Sequence, residues 1–264
     1  MQSLGNSLKG FDLEAIRARA SMLTSTSQVG VAEPEYKCAI CKDEEGYIVK
    51  DDDDREYWRI CECKSIRRVE RLMRSSHITD EFRQKRFGNF NHVGRPQVVV
   101  DAFEAAREYA NVFREIRSSR QNSIALLGRP GCGKTHLLMA IANKLLSSGV
   151  GVAYFPWVEG FNDLKSDLDA VAEKVYRLQQ AEVLYIDDLF KGRKEVTPFQ
   201  IEQLFAIINY RYLQHKPLLI SSERTVSDMC EIDEGIGSRI YEMSKTYRVT
   251  LQGGQELNYR LSGM

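Results

Sequence analysis

No stretch of this sequence approaches the ~18 consecutive apolar residues of a helical membrane span, so no membrane partner is expected. An excess of one charge is also missing. The 264 residues carry 37 Lys+Arg and 37 Asp+Glu, and no global field draws the chain onto nucleic acid or anionic lipid. The opening stretch MQSLGNSLKGFDLEAIRARA has no apolar h-region, so a secretory signal is not expected. Cysteine is sparse: six in all, four of them crowded into residues 38–63. That is too few for a secreted disulfide scaffold, and a reducing, cytoplasmic setting is expected. Internal repeats and low-complexity tracts are absent. What is present, 43% hydrophobic and 28% charged residues, suffices for one sizeable core and a smaller appendage.

Charge is blocked near the N-terminus. Residues 33–63 carry 5 Lys/Arg against 11 Asp/Glu, including the run Asp51, Asp52, Asp53, Asp54, and residues 64–95 carry 9 basic against 3 acidic side chains. An acidic run reads first as a solvated loop. In the basic block Ile66, Val69, Leu72 and Met73 form a helical stripe among arginines, which fits a partner-facing helix and an ordinary packed one equally. Phe103, Ala106, Ala110 and Phe113 then recur at helical spacing. Beyond them, strands are expected at 123–128, 150–156, 182–189, 217–223 and 247–252, with helices near 134–148, 160–179, 198–215 and 233–245. Such alternation predicts an α/β fold, a parallel sheet flanked by helices on both faces. Thr197, Pro198 and Gln200 supply a capping box for the helix near 198. The domain boundary is expected at 76–96, a linker between an N-terminal domain at 1–75 and a C-terminal one at 97–264.

Gly128-Arg129-Pro130-Gly131-Cys132-Gly133-Lys134-Thr135 fits G-x-x-x-x-G-K-[ST] and stands between a strand and a helix. Glycines let the backbone curl so that its N–H groups point at phosphates, and the helix N-terminus adds positive potential. This loop with the following His136 is expected to cradle the nucleotide, Lys134 to reach the β/γ-phosphates and Thr135 to hold Mg²⁺.

About fifty residues on, the strand Val183-Leu184-Tyr185-Ile186 ends in Asp187 and Asp188. Asp187 is expected in the Mg²⁺ shell, and Asp188 is expected to orient a water for attack on the γ-phosphate. A strand between the two motifs points to ATPases with an inserted central strand. Asn143-Lys144 is followed by two leucines, so a guanine-specific N-K-x-D signature is absent. A further strand ends in Ser221-Ser222-Glu223, where Ser222 or Glu223 would sense the γ-phosphate. Gly237-Ser238-Arg239-Ile240 lies near the start of a helix. Arg239 fits an arginine finger serving a neighbouring copy, against the alternative of a surface ion pair. Lys191, Arg193 and Lys194 follow the acidic strand in a short loop and are the candidates for single-stranded DNA contact.

These motifs together resemble the AAA+ helicase loaders of the DnaC/DnaI type. The likeness spans about residues 77–264 and includes the segment Ser76-His-Ile-Thr-Asp-Glu-Phe-Arg83 and Arg86-Phe-Gly-Asn-Phe90. Most AAA+ proteins have Asp-Glu at the acidic pair, whereas loaders and IstB-like transposition ATPases have Asp-Asp. Phe190 departs from the family's usual Gly. The sequence ends soon after Asn258-Tyr259-Arg260-Leu261, so no lid domain with a second sensor is expected and the role of Arg260 stays open. The resemblance implies an AAA+ P-loop ATPase using ATP and Mg²⁺, a DnaB-type replicative hexameric helicase as partner, single-stranded DNA, and self-assembly into a ring or spiral.

Cys38-x2-Cys41 and Cys61-x-Cys63 are two close pairs, and four thiolates satisfy tetrahedral Zn²⁺. The alternatives are two disulfides, disfavoured in a reducing compartment, and four free thiols, but a module this small and poor in apolar residues needs a staple. In the resembling DnaI-type loaders such cysteines belong to a zinc-binding helicase-interaction domain, which IstB-like proteins lack. The expected function is ATP-dependent loading of a replicative helicase, with IstB-like transposition regulation and a non-hydrolysing nucleotide-sensing adaptor as the alternatives.

Overall fold

The computed structural model describes residues 36–192 and 196–261. The chain divides into two compact units, Met1–Cys61 and Glu62–Met264. Residues 62–96, expected as the end of the first domain and a linker, therefore belong to the larger unit.

In the smaller unit β1 (Gly46–Lys50) and β2 (Glu56–Ile60) pair antiparallel, with Ile48 opposite Trp58. The acidic run is the hairpin turn. The Asp51 carboxylate accepts from the backbone N–H of Asp53 and Arg55, a local closure that Asx side chains favour. Gly46 is needed here because a Cβ would run into the Trp58 indole.

The larger unit starts with α1 (Cys63–Ser75), the single turn α2 (Asp80–Arg83) and α3 (Gln97–Ile116). On α1, Leu72 and Met73 pack against the core while Ile66 stays exposed. The 76–96 segment is packed rather than free. Ile78 is buried, Phe82, Phe87 and Phe90 lie on the core, and the Asn143 amide donates to the carbonyls of Phe82 and Lys85.

Then follow β3 (Ile124–Gly128), α4 (Lys134–Ser147), β4 (Val152–Pro156), α5 (Trp157–Ser166), α6 (Val171–Gln180), β5 (Val183–Leu189), α7 (Pro198–Leu213), β6 (Leu218–Ser222), α8 (Val226–Ile232), α9 (Glu234–Met243) and β7 (Tyr247–Leu251). All five expected strands form one parallel sheet in the order β4-β5-β6-β3-β7. β6 separates the acidic strand β5 from the loop-bearing strand β3, the inserted-strand arrangement. Alternating residues of β3 face opposite layers: Ile124 and Leu126 join the core under α3 and α4, and Ala125 and Leu127 the core under α5 to α9. Burial on both faces is why β3 is continuously apolar rather than alternating.

The helix expected at 160–179 is two helices. Asp167 leaves helical geometry at φ −145°, ψ 89°, and its carboxylate accepts from Ala170 N at 3.2 Å, turning the chain between α5 and α6. The capping box at Thr197 and Gln200 is formed. A second one, Thr225 with Asp228, starts α8 ahead of the expected 233–245 helix. The fully buried Arg211 donates to the carbonyls of Leu178, Ala181 and Pro217, so one guanidinium satisfies the end of α6 that no capping residue reaches. Among the described residues no helix is long and apolar enough to cross a membrane.

Candidate functional site

The loop between β3 and α4 turns through Gly131 (φ 76°) and Gly133 (φ 100°), a region open to glycine at no steric cost. A side chain would also collide there, with Asn258 at Gly131 and with the Phe90 ring at Gly133. The loop thus lies between the packed 76–96 segment and the 255–261 segment. Tyr259 N donates to Gly131 O at 2.9 Å, and Arg95 donates to Leu257 O at 2.7 Å. Lys134 is buried, its ammonium donating to Gly128 O and Arg129 O at 2.7 Å each. The Cys132 thiol donates to Arg129 O at 2.8 Å, and the Arg129 guanidinium to Gly253 O at 3.0 Å. His136 Nε2 sits 3.0 Å from both Arg86 O and Asn89 Oδ1, and burial lowers its pKa, favouring the neutral ring.

A cavity of about 530 Å³ lies over this loop. It is lined by Pro130 to His136, by Asp187, Asp188, Lys191 and Glu223, and by Phe90, Arg95, Tyr259 and Arg260. Both acids reach it because β5 is irregular at its end. The register against β6 shifts between Ile186 and Leu189, and Asp188 has φ 56°. In a regular strand neighbouring side chains point to opposite faces, and a bulge re-aims one of them. Phe190 also has positive φ, 63°. That backbone suits the Gly of the resembling family, and Phe190 adopts it while its ring packs edge-on against Trp157 at 5.1 Å.

Asp187 is held by hydroxyls. Thr135 donates to its Oδ1 at 3.1 Å, Tyr185 at 2.7 Å and Ser221 at 2.5 Å, and Tyr154 donates to Oδ2 at 3.1 Å. Burial, then the Asp187 charge, raises the pKa of both tyrosines, so both hydroxyls keep their protons. The Ser221 hydroxyl also accepts from Asp188 N at 2.7 Å. Neither tyrosine nor Ser221 was singled out in the sequence. A signal existed: Tyr185 and Asp187 are two apart on one strand, hence on one face, and Tyr154 stands opposite Tyr185 in the β4–β5 register.

Other candidates are placed differently from expectation. Ser222 is fully buried; its hydroxyl donates to Leu189 O at 2.6 Å and does not line the cavity, whereas Glu223 does. Lys191 is not a free cation, since it pairs with Asp188 at 2.6 Å and with Glu223 at 3.6 Å. Arg193 and Lys194 lie outside the described residues. Arg239 is not among the cavity's lining residues. Its guanidinium donates to Asn209 Oδ1 at 3.1 Å and Gly235 O at 2.8 Å and stacks over Phe205 and Tyr212. Arg260, whose role spacing left open, is brought to the cavity.

Cys38, Cys41, Cys61 and Cys63 are unbridged, and their sulfurs lie within 4.8 Å of one another. Cys38 Sγ and Cys61 Sγ are 3.7 Å apart, close to the edge of about 3.8 Å that a tetrahedron with Zn–S bonds of about 2.3 Å requires. Backbone N–H groups of Cys41 and Ile40 hold the Cys38 thiol down at about 6, favouring the thiolate that ligates metal. The donor set fits Zn²⁺.

The family model of the bacterial DnaA ATPase domain matches residues 86–244. Phage-like element PBSX protein XkdC of Bacillus subtilis (strain 168) is 49% identical over 234 residues, covering 87% of this chain and 88% of that protein. The crystal structure of DnaI superposes with a TM-score of 0.54 at 22% identity, over 68% of this chain and 94% of the other. The DnaC helicase loader gives 0.55 at 21%, over 66% and 100%. AMPPCP-bound DnaA from Aquifex aeolicus gives 0.54 at 23%, over 66% and 52%. At these identities the three structures show a shared fold, the AAA+ fold expected from the motifs.

Proposed function

The chain belongs to the replication-initiation ATPase family of the bacterial DnaA ATPase domain and is an AAA+ ATPase, and from that premise we propose that it loads a replicative hexameric DNA helicase. Lys134 and the loop Gly128–Thr135 bind the ATP phosphates. Thr135 and Asp187 hold Mg²⁺, which neutralises phosphate charge. Asp188 orients the attacking water, and Lys191 keeps its carboxylate in place until nucleotide enters. Glu223, at the cavity, senses the γ-phosphate in preference to Ser222. The C-terminal Arg260 faces the same phosphates.

Arg239 serves the site of a neighbouring copy in a ring or spiral, consistent with its lying off the cavity of its own chain. The four cysteines hold one structural Zn²⁺ in an N-terminal module that docks on the helicase. The loop at Lys191, Arg193 and Lys194 contacts single-stranded DNA.

The observation that carries this reading is the pairing, in one chain, of a cavity joining Lys134, Thr135, Asp187 and Asp188 with a four-cysteine cluster of zinc dimensions. It is tested by co-purification with the host's hexameric replicative helicase, with and without ATP. Retention that survives Lys134→Ala but not Cys38→Ser with Cys41→Ser is expected. Failure of the intact chain to retain the helicase under any nucleotide condition refutes it.

A further inference from the structure

Asp187 has more protein donors than its part in holding a cation explains. Two of them, Tyr185 and Ser221, are fully buried and approach Oδ1 at 2.7 and 2.5 Å. A third, Tyr154, reaches Oδ2 at 3.1 Å from the neighbouring strand β4. Among the described residues every hydrogen-bond partner of Asp187 is a neutral hydroxyl. A basic partner would cancel its charge, whereas hydroxyls fix the carboxylate and leave the charge in place. Three donors converge on Oδ1 and one reaches Oδ2, so the rotation of the group is set, Thr135 is kept at 3.1 Å, and one of the two lone-pair sites of Oδ2 stays open to a cation.

The tyrosines are fixed in turn. Tyr154 and Tyr185 stand opposite one another in register with ring centroids 5.2 Å apart, and Phe82 packs edge-on to Tyr154 at 6.0 Å.

We propose that Tyr185, Tyr154 and Ser221 are positioning residues for the divalent cation, acting through Asp187. They hold the carboxylate in the one orientation in which it and the Thr135 hydroxyl face the same ion. Partners that orient a metal-binding carboxylate typically change metal affinity by roughly 10–100-fold when removed.

The inference rests on the proposed cation-holding role of Asp187, and Asp187→Asn separates the two. The probe is Mn²⁺, titrated by electron paramagnetic resonance into the full chain with saturating ATP. ATP affinity in EDTA is measured alongside with a fluorescent ATP analogue. Tyr185→Phe and Tyr154→Phe are each expected to weaken Mn²⁺ binding by roughly tenfold or more and to leave nucleotide affinity in EDTA unchanged. Unchanged Mn²⁺ affinity in both variants, with Asp187→Asn still weakened, overturns the positioning role alone. Mn²⁺ affinity and EDTA nucleotide affinity falling together also overturns it, because that is the signature of general loosening. Unchanged Mn²⁺ affinity in Asp187→Asn overturns the role of Asp187 itself. If Tyr185→Phe does not fold, the half-buried Tyr154 carries the test.

Discussion

The Thr135 hydroxyl donates to Asp187 Oδ1 at 3.1 Å, a contact between the first turn of α4 and the end of β5. It joins the two halves of the site across β6. A hydroxyl and a carboxylate at that distance, beside the loop that carries Lys134, are the hard oxygen ligands that the proposed function assigns to Mg²⁺.

Lys134→Ala removes the only ammonium within the phosphate loop. Mg·ATP binding, followed by fluorescence of a labelled nucleotide, is expected to be lost, with zinc content per chain unchanged. Wild-type nucleotide affinity in this variant would remove the phosphate loop from the account.

Arg239→Ala is expected to keep ATP binding and to lose the part of turnover that rises with protein concentration. A finger supplied in trans contributes on the order of 10³–10⁵ in rate in the best cases. Turnover per chain measured across a concentration series decides it: normal hydrolysis at high concentration leaves Arg239 as a structural partner of Asn209, Gly235 and the α7 aromatics.

Phe190→Gly sets two effects against each other. Relief of the left-handed backbone at φ 63° gains about 1–2 kcal/mol. Removing a ring that is 2% exposed and packed on Trp157 costs about 3–5 kcal/mol. Packing wins, and urea denaturation should show a net loss of about 2 kcal/mol. A stabilised variant would mean that the ring contributes little.

Arg211→Leu leaves the carbonyls of Leu178, Ala181 and Pro217 without their charged donor. Pro217 O keeps the Leu184 N–H at 3.2 Å, so Leu178 O and Ala181 O are the acceptors left unpaired; at about 1–3 kcal/mol each, a loss of at least about 2 kcal/mol is expected in chemical denaturation. Nucleotide affinity measured below the unfolding transition should be unaltered, because Arg211 lies at the opposite ends of the strands.

The four cysteines are expected to bind one zinc per chain, read by elemental analysis of protein purified without chelator. Removal of the metal should unfold the β1–β2 module and spare ATP binding. Full retention of helicase binding in metal-free protein would contradict the docking role.

The sheet was legible because each strand is a short apolar run closed by polar or glycine residues, and the loop because its glycines must stand between a strand and a helix. The break at Asp167 was hidden because Ser166, Asp167 and Asp169 are also compatible with the polar face of one long helix. The hairpin 46–60 was hidden by its charge, since an acidic turn gives no apolar alternation to count. The choice between Ser222 and Glu223 turned on one residue of register, and a shift of one moves every side chain to the other face. The irregularity at Asp187 and Asp188 sets that register, and spacing does not reveal it. The packing of 76–96 against α4 was illegible for a different reason. Phe82, Phe87 and Phe90 are too widely spaced to mark a helix, yet each finds the core separately.

The most direct measurement is transfer of the host's hexameric helicase onto closed circular single-stranded DNA, read as unwinding of an annealed fragment. With this chain and ATP, unwinding is expected to rise well above that of helicase alone, and with Lys134→Ala it should fall back to that level. Unwinding that is the same with the chain, without it and with Lys134→Ala would contradict the loader assignment.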